Sequence, residues 1–190
     1  MRKILLSLAV AGTTLIVTPA AAQRASVLVV DTDRILSECT ACKAAGATIQ
    51  GQITSGRTRA QQLQTQWQTE QKALETAVAA LAGKQPDAAL TQRIQRYQAS
   101  RQQGEAELAQ KENQIQSTQA NVQRQIAARV VLISEQSRAR RQADVVVGKN
   151  ATLASNTAND ITAEVLAALN QQLPSVSVTP LPQQSAPAGR

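Results

Sequence analysis

The chain opens with an uncharged apolar run, Ile4 to Val17, behind Arg2 and Lys3. The small residues Ala20-Ala-Ala22 follow it, so the pattern predicts a secretory signal peptide cut after Ala22. The run is shorter than the ~20 apolar residues a spanning helix needs. Ser26-Val-Leu-Val-Val30 is β-branched and apolar and predicts a buried strand. Asp31-Thr-Asp33 offers N-caps to a short helix starting near Arg34.

From Ala44 to Leu81 proline is absent, and Ile53, Ala60, Trp67, Leu74 and Leu81 recur every seven residues. The companion series Ile49, Gly56, Leu63, Glu70 and Ala77 is weaker. This is a coiled-coil-like stripe with faults. Gly83-Lys-Gln-Pro86-Asp87 stops the helix. A second helix runs from near Asp87 to about Arg141, with Leu90, Ile94, Tyr97, Leu108, Ile115 and Val122 on its stripe. Arg101, Gly104, Lys111, Thr118 and Gln125 interrupt it. The short connection predicts antiparallel packing. Counting outward from it sets Leu81 near Leu90, Leu74 near Ile94, Leu63 near Leu108, and Trp67 near Gly104.

Past Val122 the apolar phase moves to Ile126, Val130 and Ile133, and 127–133 is apolar on more than one face. That predicts burial of this stretch in a body. Asp144-Val-Val-Val147 and Ala151-Thr-Leu-Ala154 predict two short strands around Gly148-Lys-Asn150. Asn159-Asp160 predicts the cap of a last helix from Ile161 to about Gln171. The expected organisation is therefore a signal peptide over 1–22 and body over 23–43. A helical hairpin arm follows over 44–126, with its tip at 82–87. Body resumes over 127–173, and a disordered Pro-rich tail ends the chain over 174–190. The fold class is mainly α with a small β body. One copy of that body has too little apolar surface to stand alone, which predicts self-association.

Composition sharpens this picture. Phe and His are absent, and Trp67 and Tyr97 are the only aromatics among 190 residues. Aromatic side chains supply much of an ordinary core, so elongated helix fits better than a globule. The formal charge of +7 becomes +5 once Arg2 and Lys3 leave with the signal peptide. Residues 44–141 hold 13 Lys/Arg and 7 Asp/Glu, so the positive field belongs to the arms. It attracts anionic partners. Export and the lack of any nucleic-acid motif argue against nucleic acid.

The sharpest motif with chemistry is Cys39-Thr-Ala-Cys42. A thiol oxidoreductase uses this spacing, but here there is no βαβ context and no His. A structural disulfide or a packed pair is the plainer reading for an exported chain. Two thiols without His make a poor metal site. No Gly-rich phosphate loop or Ser-His-Asp set occurs, so no catalytic residue, metal or cofactor is assigned and no enzyme is expected. Glu105, Glu107 and Glu112 read as solvent-facing. Arg93, Arg96, Arg101, Arg124 and Arg129 are candidates for a partner-facing surface. Lys84, near the tip with Arg93 and Arg96, is a candidate for anionic lipid headgroups or lipopolysaccharide.

Taken in order, Val27-Leu-Val-Val-Asp31, the Gln/Ala/Arg hairpin, Ala143-Asp-Val-Val-Val147 and Asn159-Asp-Ile-Thr-Ala-Glu-Val-Leu166 resemble the Skp/OmpH family of periplasmic chaperones. The resemblance covers about residues 24 to 170 and is most specific in the last two stretches. It implies a homotrimer with a β-rich body and three helical hairpins around a cavity. It also implies ATP-independent holding of unfolded outer-membrane proteins in the periplasm. The Cys39/Cys42 pair and the proline-rich tail depart from the family pattern. A structural coiled-coil adaptor of the periplasm and a CxxC thiol oxidoreductase stand as alternatives.

Overall fold

The computed structural model describes residues 26–181. The expected signal peptide and the last nine residues of the tail lie outside them. The element order is β1 (Val27–Val30), α1 (Thr32–Glu38), α2 (Thr40–Ala79), α3 (Ala88–Arg140), β2 (Val145–Gly148), two single 3-10 turns, and α4 (Thr162–Gln172).

Strands β1 and β2 pair in parallel, Val27 with Val145 through Val30 with Gly148. A parallel pair needs a long crossover, and here the crossover is the whole of α1, α2 and α3. A parallel bridge from Val29 to Asp160 adds a second, single-residue partner to β1. The Asp31 carboxylate caps α1 by accepting from Arg34 N at 2.9 Å. Cys39 is extended, with φ −64° and ψ 138°, so it ends α1 and starts α2. Asp87 caps α3 by accepting from Leu90 N at 2.8 Å. Between the long helices Ala82 and Gly83 adopt positive φ, 48° and 87°, which reverses the chain. At 53 residues α3 is about 80 Å long.

The core sits at the base, where both ends of the crossover meet the terminal segments. Ile35, Ile133, Ile161, Val165 and Leu169 are each no more than 1% exposed. The shifted apolar phase of α3 is seen directly, because Val122, Ile126, Val130 and Ile133 are all buried. Polar groups pin the same corner. Thr162 Oγ1 accepts from Asp31 N at 2.8 Å. Asp160 Oδ1 accepts from Thr162 N at 2.9 Å, so α4 begins one residue later than expected. The contiguous core cluster reaches outward along the arms only to Ile53 and Ile115.

Three expectations change. Residues 151–154 form no strand: a 3-10 turn covers Lys149–Ala151, and Leu153 is fully exposed. Among the described residues no strand lies beside this stretch to pair with it. The stretch 127–133 is not buried all round, since Val131 is 68% and Leu132 47% exposed. Residues 174–181, expected as disordered tail, instead run along α3 with Val176 and Val178 packed on the core. Gln125 bonds both backbone groups of Ser177, at 3.0 Å each.

Farther out, α2 and α3 bury few side chains between them, chiefly Leu63 and Leu74. Gly104 is buried, and a Cβ built on it would lie inside contact distance of Trp67 Cζ2 and 3.2 Å from Leu63 Cδ1. The expected pairing of the largest side chain with a missing one is present. Gly104→Ala should therefore destabilise the protein by about 1–3 kcal/mol through overpacking. That exceeds the ~1 kcal/mol alanine gains in helix propensity. Adding Trp67→Leu should return most of the loss. Urea unfolding followed by circular dichroism measures both; a more stable Gly104→Ala protein would contradict this packing.

Candidate functional site

The arms carry the chain's concentration of charge, and their facing sides decide how much of it is free. Arg59 makes a two-pronged contact to Glu107, Nε to Oε1 at 2.9 Å and Nη2 to Oε2 at 2.8 Å. Arg93 does the same to Glu70, at 2.6 and 3.0 Å. Each pair bridges α2 and α3. The planar guanidinium matches a carboxylate in this bidentate form. The Arg93 guanidinium holds the Glu70 carboxyl below its ordinary range, and Arg59 does so for Glu107. Glu107 thus faces the other arm rather than open solvent.

Arg101 lies 4.9 Å over the Trp67 ring, a cation–π contact, and donates to Glu105 at 2.9 Å. Arg101 Nε and Trp67 Nε1 are buried there without a hydrogen-bond partner. A cleft of about 540 Å³ opens beside the ring, lined by Trp67, Glu70, Arg93, Arg96 and Tyr97 among others.

The six basic candidates therefore divide. Arg93 and Arg101 each have a partner within the hairpin, and their side chains stay 41% and 43% exposed. Lys84 is exposed in the tip connection, and Arg96 and Arg124 are exposed on α3, with Arg129 half-buried near its base. Among the described residues, these four, with Arg57, Lys72 and Lys111, make no ion pair. The arms remain a positive surface after internal pairing. Sequence reasoning missed the two cross-arm pairs. Setting Trp67 against Gly104 places Glu70 opposite Arg101 and Arg59 opposite Glu112, so the register alone does not point to the pairs that form.

Cys39 and Cys42 are joined as a disulfide at the α1–α2 corner, with Cα atoms 5.1 Å apart. Cys39 is wholly buried and Cys42 packs against the core. A redox-active pair needs an accessible sulfur, and this corner does not offer one at Cys39. Among the described residues no cluster of three His, Cys, Asp or Glu could hold a metal ion. No helix among them is long and apolar enough to cross a membrane.

The body presents a different surface. Leu36, Val131, Leu132, Val145 and Leu153 are exposed apolar side chains. Strand β2 has β1 as its only ladder partner among the described residues.

Residues 26–169 match the model of the family described as outer membrane protein (OmpH-like), which spans β1, both arms and α4. The chain belongs to the OmpH-like family. The match takes in the body and the arms together. A crystal structure assigned as an outer membrane chaperone (OmpH-like) from Caulobacter crescentus CB15 superposes with a TM-score of 0.67. It is 21% identical, and the comparison covers 95% of this chain and 100% of that one. At that identity the likeness shows the fold. No curated protein matches the sequence.

One ionic cluster ties this OmpH-like body together. Glu164 accepts from buried Ser137 Oγ at 2.7 Å and pairs with both Arg140 and Arg141. The Ser137 hydroxyl and then the Arg140 guanidinium hold its carboxyl down at about 2, from an ordinary 4.5. A depressed carboxylate stabilises the fold above its unfolded pKa, and that contribution is lost as pH falls toward the folded value. Glu164→Gln should cost about 2 kcal/mol at pH 7. The gap from wild type should shrink below pH 4.5 and close near pH 2. Denaturant midpoints across pH 2.5–7 check this; a gap independent of pH would contradict it.

Proposed function

We propose that this protein is an ATP-independent periplasmic holdase that binds unfolded outer-membrane proteins between helical arms and keeps them from aggregating. The observation that carries the reading is a polar, positively charged hairpin rooted in the body of an OmpH-like chain. Its arms meet through Trp67–Gly104 and two ion pairs rather than a sealed apolar seam. Such an arm can flex around clients of different size. Alkyl stems of Gln and Arg, with scattered Leu, Val and Ile, give weak contacts that hold an apolar chain without trapping it.

The functional unit in this reading is a homotrimer. Support comes from Leu36, Val131, Leu132, Val145 and Leu153, which a lone chain leaves in water, and from the open edge of β2. Burying both by self-association removes an apolar patch and a strand edge at once. Lys84, Arg96, Arg124 and Arg129 are the proposed contacts to acidic client segments or to anionic lipid and lipopolysaccharide. Residues 1–22 direct export in this account. The buried Cys39 favours a structural role for the disulfide over thiol exchange.

The test is light scattering from a diluted, urea-unfolded outer-membrane β-barrel protein, without nucleotide. The full chain should suppress aggregation. Removing equal lengths from both arms on either side of residues 82–87 should abolish suppression and leave the oligomer intact. Unchanged suppression by the shortened protein would discard the mechanism. Charge reversal at Arg96 and Arg124 should weaken holding at low salt. The difference should fade as ionic strength rises and the screening length drops below about 10 Å.

A further inference from the structure

The segment after α4 makes a contact of unusual regularity. Ser117, Asn121 and Gln125 are spaced four apart on α3, so they form one row on its surface. Three alternate residues of the segment face that row. Gln125 accepts from Ser177 N and donates to Ser177 O, both at 3.0 Å. Asn121 Nδ2 donates to Thr179 O at 3.0 Å. Ser117 Oγ accepts from Leu181 N at 2.8 Å. Every one of these bonds on the segment's side goes to the main chain.

The spacing explains why the row works. Four helical residues rise about 6 Å. Two residues of extended chain advance about 6.6 Å. The bonds stay in step over three rungs although the backbone bends at Thr179, with the segment antiparallel to α3. Between the rungs, Val176 and Val178 pack against the core. Pro180 lines a cleft of about 480 Å³ between α2 and α3.

The geometry points to a groove on α3 that reads the backbone of an extended polypeptide, with the chain's own residues 176–181 as its resident occupant. The row contacts no side chain that would fix a sequence. What it requires is an extended strand with small or apolar side chains at alternate positions. Val176-Ser-Val-Thr179 has that alternation, and so do the membrane strands of an outer-membrane barrel. An unfolded barrel segment therefore competes with the resident segment for the row. This last step rests on the holdase reading; the groove itself does not.

The probe is a fluorescent synthetic peptide of residues 173–181, titrated by anisotropy into the full-length protein. Ser177→Pro removes the N–H that Gln125 accepts, loosening the resident segment while leaving the row intact. It should bind the peptide about fivefold tighter than wild type, the worth of roughly one hydrogen bond. Adding Gln125→Ala, or separately Asn121→Ala, should erase the gain. Equal binding by wild type and Ser177→Pro, or a gain that survives both row substitutions, overturns the groove. In the unaltered protein, amide exchange at Ser177 and Leu181 should accelerate when an unfolded barrel protein is held. Unchanged exchange with client held overturns the competition. Peptide binding as expected with no client held by any variant supports the groove and refutes the holdase reading.

Discussion

The structure depends on one closure. Ser26 N reaches the Asp144 carboxylate at 2.6 Å across 118 positions of sequence, and β1 and β2 pair in parallel beside that contact. The chain between must leave this point and come back to it. A helical hairpin does so cheaply in entropy, because each helix forms from local contacts. The apolar side chains the sequence possesses are then spent at the base, on Ile35, Ile133, Ile161, Val165 and Leu169. Little remains for the arms.

That shortage sets the character of the arms. With one Trp, one Tyr and no Phe in the whole chain, the hairpin cannot seal itself along its length. It closes at a few points: Leu63 and Trp67 on Gly104, the buried Leu74, Glu70 with Arg93, and Arg59 with Glu107. Exposed ion pairs add little to stability, so the arms are joined less strongly than the base. The same residues leave a positive surface. Light joining and positive charge are two results of one composition, and both suit the proposed holding of unfolded clients. The tail segment on α3 adds a third element, a row of amide and hydroxyl groups set at the repeat of an extended chain.

Much of this was legible in the sequence because it is periodic or local. The strand at Val27–Val30, the caps at Asp31 and Asp87, the break at Gly83 and the phase change after Val122 each follow from a few neighbouring residues. The register of Trp67 against Gly104 followed from counting outward from a short loop. What was not legible involves partners that neighbouring residues do not announce. Ala151–Ala154 has strand composition, yet no strand among the described residues lies beside it. Val131 and Leu132 read as core because a run of apolar residues does not say which of its faces is covered. Residues 174–181 read as disordered from their Pro and Ser content, and the row on α3 that orders them lies more than fifty positions away. Arg93 and Arg101 read as partner-facing charges, and their contacts to Glu70 and Trp67 depend on how far long side chains reach across the arms.

Sedimentation velocity of the mature protein, alone and with a urea-diluted outer-membrane β-barrel protein in the absence of nucleotide, tests the central claim most directly. The account predicts a trimer by itself and one larger soluble species containing both proteins, with the client still unfolded by circular dichroism. A monomer sedimenting as a solitary body, with the client lost to the pellet, would contradict it.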